Sequence, residues 1–108
     1  MSEVYIVAAS RTAVGSLGKS LKNISADKLG SNIISDVIKK SKIKPNDVDE
    51  VIMGQVLTGG SGQNPARQAS VNSGIPVEKP AYIVNQVCGS GIRSVVSAYQ
   101  SIKSENSK

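Results

Sequence analysis

The feature that most constrains this chain is a change of period across residues 85–91. Before it, Ala81-Tyr82-Ile83-Val84 is a short apolar run of strand character that the pattern carries on to Val87. After it, Ile92, Val95, Val96, Tyr99 and Ile102 recur at helical spacing, with Gly91, Ser94, Ala98 and Ser101 forming a second, small-sided face. Between the two lies Asn85-Gln86-Val87-Cys88-Gly89-Ser90-Gly91, which holds the only cysteine. The spacing predicts a strand that turns into a helix starting at Cys88. Gly89 and Gly91 let the backbone turn sharply and leave room beside the sulfur. Only Arg93 is charged between Cys88 and Ile102, so this helix is expected to be buried on most sides.

A sulfur at that place acquires chemistry from its surroundings. The first N–H groups of a helix have no intrahelical partner, and the positive end of the dipole lies there. Negative charge on the sulfur is favoured by that arrangement. The same N–H groups can hydrogen-bond a carbonyl oxygen that turns negative as the sulfur attacks it. The competing reading is that Cys88 is a small buried hydrophobe, the commoner fate of a free cysteine.

The remainder reads as strand–helix alternation. Val4 to Ala9 is a continuous apolar run of strand length. Ser25 is placed to cap a helix from Ala26, with Asp27 in its first turn and Lys39, Lys40 and Lys42 at its far end. Leu29, Ile33, Ile34, Val37 and Ile38 form its apolar stripe. After a turn at Pro45-Asn46-Asp47, Val51 to Leu57 reads as a second strand interrupted by Gly54. Asn64 and Pro65 open a short helix to about Ser73, closed by Gly74, whose small residues permit close approach of another backbone. Its one charge, Arg67, is either a contact residue or simply solvated. Ala13 to Ser20 falls one residue short of a P-loop, and no later strand ends in an aspartate suited to magnesium.

Composition removes several function classes. Net charge is +5, with ten of thirteen cations lysine and scattered, so a nucleic-acid surface is disfavoured. A single cysteine excludes an internal disulfide framework, and the absence of histidine removes the common metal sites. Neither a secretory start nor an apolar run of membrane-spanning length is visible, which implies a soluble, cytoplasmic protein without membrane contact.

The segment around Cys88 resembles the nucleophile segment of the thiolases, the acetyl-CoA acetyltransferase branch in particular. Three more segments resemble that family in the same order: Val7-Ala8-Ala9-Ser10-Arg11-Thr12-Ala13-Val14-Gly15, Val48-Asp49-Glu50-Val51-Ile52-Met53-Gly54 and Gly62-Gln63-Asn64-Pro65-Ala66-Arg67-Gln68. The resemblance implies an α/β fold. Residues 1–108 would form the amino-terminal part of a thiolase-like α/β/α layered domain, with three strands and a buried helix from Cys88. It further implies condensation of two acetyl-CoA to acetoacetyl-CoA, or the reverse thiolysis, through an acyl-cysteine. Cys88 would take the acyl group and lend its backbone N–H to the oxyanion hole, while Gly89 and Gly91 would make space for substrate. Coenzyme A thioesters are then substrates, no cofactor or metal is called for, and the complete enzyme is expected to be a homodimer or homotetramer.

The family's histidines, its second cysteine and most of its coenzyme A contacts belong to a part that this chain does not contain. A fragment inactive alone is therefore expected. The alternatives are a non-catalytic interaction module, pairing through an exposed strand edge, and a related condensing enzyme of the ketoacyl-synthase kind. Alanine at 13, where many thiolases carry proline, is a mild departure.

Overall fold

The computed structural model describes residues 3–108. Met1 and Ser2, on which the expectation about the chain's start partly rests, lie outside them. The first regular element is the helix Ala26–Ser41 (α1), entered through Ser25 at its N-cap. Ser25 occupies the cap position without making the side-chain bond. Lys42 ends the helix in the left-handed conformation, and Lys39 and Lys40 occupy its last turn as the dipole favours.

A short 3-10 turn at Pro45–Asp47 leads to the strand Val51–Gly54 (β1). The helix Pro65–Asn72 (α2) follows, then the strand Ala81–Val84 (β2) and the helix Ser90–Lys103 (α3). The two strands pair in parallel, Val51 opposite Ala81 and Gly54 opposite Val84. Parallel neighbours require a crossover, and α2 supplies it. Successive residues of β1 point to opposite faces. Val51 packs with Ile38 of α1 and Ile75 as the buried core, with Ile34, Val48, Met53 and Ala81 against it. Gly54 faces the other way, onto the start of α3. The sheet is thus sandwiched between helices, an α/β arrangement of layers.

The small side of α2 does what its composition predicts. Ala66, Ala69 and Ser70 are fully buried. A Cβ on Gly30 of α1 would sit 3.1 Å from the Ala69 methyl and 2.8 Å from the end of Met53, so a side chain there would push the Met53 end aside and press on Ala69.

Four expectations are corrected. Val4 to Ala9 forms no strand, leaving two strands rather than three, and Ile6 remains 83% exposed. A strand covered on both faces needs a ladder partner and two layers, whereas this segment lies along α1 and joins no ladder. Val7 and Ala8 instead line a largely apolar cleft of about 340 Å³ with Ile34, Ile38, Val51 and Ile75. β1 ends at Gly54 rather than Leu57: the Gln55 N–H still reaches the Val84 carbonyl (3.2 Å), and the chain then leaves the sheet. β2 ends at Val84 rather than Val87, because the Asn85 side chain replaces the ladder. Its oxygen accepts from the Val87 N–H (2.9 Å) and its amide donates to the Val56 carbonyl (3.1 Å). Finally, α3 is not a covered helix. Ile92, Val95 and Tyr99 are 74%, 55% and 48% exposed, since two strands are too narrow to shield it.

Residues 13–20 fold as loop and turn, with the Lys19 N–H bonded to the Ser16 carbonyl (3.0 Å). Among the described residues no strand precedes them and no helix begins before Ala26, so the context of a phosphate loop is missing.

Polar contacts tie the end of the leading segment and the last residues of the chain to its body. At one end, the Ser10 hydroxyl donates to the Asp36 carboxylate, and Lys40 Nζ reaches both Ser10 Oγ (2.7 Å) and Asp36 (2.9 Å). At the other, Ser107 Oγ donates to Glu50 (2.7 Å) and the Lys108 N–H donates to Asp49 (2.8 Å). The bond from Ser10, then Lys40, holds the Asp36 carboxyl below the ordinary aspartate range, with Lys39 adding a weaker pull. A depressed folded-state value means the tether is complete above the unfolded aspartate value. It is lost as pH falls through the depressed value. Trypsin cleavage after the exposed Arg11 at pH 7 is expected to be faster in Asp36→Asn than in the parent. An Asp36→Asn chain cleaved there at the parent's rate would remove this tether from the account.

Candidate active site

Cys88 follows the carboxyl end of β2 by four residues, and its thiol is free and exposed. In open parallel sheets this end of the strands is where ligands bind. The packed-hydrophobe reading of Cys88 is thereby excluded. The helix, however, does not begin at the cysteine. The Gly89 N–H bonds the Gln86 carbonyl (3.0 Å) and the Ser90 N–H bonds the Val87 carbonyl (3.1 Å), so two tight turns overlap across Cys88. Gly89 is the N-cap and Ser90 the first helical residue. The sulfur therefore stands one residue outside the cap rather than in the first turn.

The two glycines contribute differently from what the motif suggests. Neither has a positive φ, since Gly89 lies at −87° and Gly91 is helical. The left-handed residue is Val87, at φ +49°, a conformation disfavoured for a branched side chain. A Cβ on Gly89 would lie 3.3 Å from the Gln86 carbonyl oxygen, so a side chain there would press on the turn. Beside Gly91 there is open space, with no atom within 4 Å of a Cβ position. A methyl group would fit there.

Several functional neighbours are not evident from spacing alone. Ser90 is 4% exposed, and its Oγ donates to the Val87 carbonyl (2.7 Å) and accepts from the Gln86 N–H (2.9 Å). Arg93, one turn into α3, reaches back to Gln86 Oε1 (2.7 Å). Gly54 closes the arrangement from below. A Cβ there would lie 2.4 Å from the Ser90 carbonyl carbon and 2.6 Å from the Gly91 nitrogen, so β1 meets the start of α3 backbone to backbone. Among the described residues, the recorded hydrogen bonds use the N–H groups of Gln86, Val87, Gly89 and Ser90, and none uses that of Cys88. That N–H is available to an oxygen brought to the sulfur.

Other polar residues serve the frame. Asn64 caps α2 by accepting from the Arg67 N–H (3.1 Å) and donates to the Ala81 carbonyl (2.9 Å), fixing the entry to β2. Arg67 donates to the Lys79 carbonyl (3.0 Å), which settles it as a part-buried structural contact. Asp49 and Glu50 precede β1 and engage Lys79, Lys108 and Ser107, at the opposite end of the sheet from Cys88. No carboxylate is thus offered to the sulfur as a base by that pair. Among the described residues no helix is long and apolar enough to cross a membrane.

An α/β layer with an exposed free thiol past the carboxyl end of a parallel strand falls in the broad class of α/β proteins whose ligands bind at that edge of the sheet. Within it the chain belongs to the thiolase family, since residues 4–108 match the family described as the thiolase N-terminal domain. It is 57% identical over 100 residues to the acetyl-CoA acetyltransferase of Chromobacterium violaceum, covering 93% of this chain and 26% of that protein. It is similarly related to the acetyl-CoA acetyltransferases of Cupriavidus necator (52% over 102 residues; 94% and 26%) and Pseudomonas aeruginosa (50% over 103; 95% and 26%). The chain spans about a quarter of the length of these curated relatives.

Proposed function

We propose that this chain supplies the acyl-accepting cysteine of an acetyl-CoA C-acetyltransferase, acting on acetyl-CoA and acetoacetyl-CoA. The observation that carries the reading is the exposed Cys88 thiol on the turn after β2, with its own N–H free of protein acceptors. In the first half-reaction Cys88 Sγ attacks the thioester carbonyl carbon of acetyl-CoA. The new C–Sγ bond forms as the bond to the coenzyme A sulfur breaks, and that sulfur takes up the proton Cys88 gives away. One thioester replaces another of similar energy, so the step runs in both directions. The Cys88 N–H would stabilise the negative charge that develops on the oxygen of the intermediate. In the second half-reaction the α-carbon of another acetyl-CoA gives up a proton and attacks the acetyl carbonyl. The new C–C bond forms as the C–Sγ bond breaks, and Cys88 Sγ takes up a proton. In reverse, Cys88 Sγ attacks the 3-keto carbon and that C–C bond breaks.

This chain alone lacks a base for the proton. It has no histidine, and Asp49 and Glu50 are held at the far end of the sheet. We therefore propose that the chain is silent in isolation and acts as the amino-terminal part of a larger cytoplasmic homodimer or homotetramer. Gly89 and Gly91 border the space for the acyl group. The test replaces the matching quarter of the Chromobacterium violaceum relative with this chain. The chimera is expected to cleave acetoacetyl-CoA and to show acetyl-Cys88 by peptide mass mapping, while the 108-residue chain shows no turnover. A folded chimera that never acquires the acetyl group on Cys88 would overturn the reading.

A further inference from the structure

We infer that Ser90 is a positioning residue for the Cys88 nucleophile: its buried hydroxyl staples the residues before the cysteine and holds Val87 in its left-handed conformation. The inference rests on the assignment of Cys88 as nucleophile and adds a residue that this assignment does not need.

Three independent observations converge on Ser90. The first is strain. A β-branched residue at φ +49° is strained, and such a residue persists only where its surroundings over-determine it. The second is the hydrogen bonding. Ser90 Oγ donates to the Val87 carbonyl (2.7 Å) and accepts from the Gln86 N–H (2.9 Å), while the Ser90 N–H meets the same Val87 carbonyl (3.1 Å). One side chain thus ties the peptide that enters Gln86 to the peptide that joins Val87 to Cys88. The third is burial. Ser90 is 4% exposed, and its peptide is pressed against Gly54, where no Cβ can be accommodated. The staple is therefore anchored in the sheet rather than in the loop it restrains. Ser90 touches neither the sulfur nor a reacting atom. It acts through the Val87 peptide, which sets the direction in which Cys88 leaves the strand.

A hydroxyl at this place makes a specific demand, one donor and one acceptor at short reach. Threonine can meet it and alanine cannot. The strain makes a second demand. Glycine at 87 adopts a positive φ without cost, so it should lower the turn's dependence on the staple.

The experiment has two arms. In the 108-residue chain, Ser90→Ala, Ser90→Thr and Val87→Gly/Ser90→Ala are compared with the parent for the rate of Cys88 alkylation by iodoacetamide against pH, and for thermal midpoint. In the chimera, the same variants are compared for the rate of acetyl-Cys88 formation and for KM. Ser90→Ala is expected to slow acetyl transfer about 10²-fold with KM little changed, the scale of a 1 Å misplacement. It should also change the rate of alkylation at pH 7. Ser90→Thr should recover most of the rate, and the double variant should recover more than Ser90→Ala. Should Ser90→Ala fail to fold, the threonine and double variants still decide. Folded proteins in which threonine gives no rescue, or in which glycine at 87 leaves the loss unchanged, overturn the inference. If the parent chimera forms no acetyl-Cys88 while alkylation still depends on Ser90, the acyl-transfer reading fails and the positioning role stands.

Discussion

Replacing Cys88 with serine in the chimera abolishes acetoacetyl-CoA cleavage, with turnover falling by ~10⁴-fold or more, the scale on which loss of a covalent nucleophile acts. A serine hydroxyl is nearly the same shape, but it is a far weaker nucleophile at neutral pH than a thiol without a base beside it. The exposure of Cys88 makes the result easy to interpret. No packing depends on the sulfur, so stability should change by no more than about 0.5 kcal/mol. Thermal denaturation of the variant separates lost chemistry from lost fold. Substantial turnover by a Cys88→Ser chimera would place the acyl group on another residue.

The second large effect comes from a residue far from the motif. Gly54→Ala places a methyl group 2.4–2.6 Å from the Ser90 carbonyl and the Gly91 nitrogen. Those neighbours are backbone, with no flexible end to swing aside. Either β1 or the start of α3 has to move, at about 3 kcal/mol, the upper end of overpacking costs. The loss should appear as a lower urea midpoint with an unchanged slope. Because the atoms displaced belong to the turn that carries Cys88, acetyl transfer in the chimera should fall along with stability. Gly91→Ala serves as the comparison. Nothing lies within 4 Å of its Cβ position, so it should leave the midpoint nearly unchanged. Equal effects of the two substitutions would mean that the contact at Gly54 does not hold the turn.

The layout of the chain was legible where a local pattern carries its own meaning. The α1 stripe and its charged ends, Asn64-Pro65 opening α2, and the strand–turn–helix order around Cys88 all follow from spacing and cap chemistry. What escaped depends on contacts that no window contains. Val4 to Ala9 has the composition of a strand, but pairing requires a neighbour elsewhere, and none takes it up here. The apolar face of α3 implies cover that two strands do not provide. At the site, the glycines drew attention to themselves while a valine took the left-handed conformation. Ser90 lay inside the motif with nothing to mark its two bonds. Gly54 did carry a signal. A glycine interrupting a strand often marks close approach of another backbone, and here that backbone is the peptide of Ser90.

The bonds from Ser107 to Glu50 and from Lys108 to Asp49 have a geographic consequence. They moor the tail beside the entrance to β1, whereas the thiol stands past the exit of β2. Four strand residues separate entrance from exit, roughly 13 Å at the rise of an extended chain. Any polypeptide joined after Lys108 therefore sets out from the wrong shore. It must travel back across the sheet before any of its side chains can serve the sulfur.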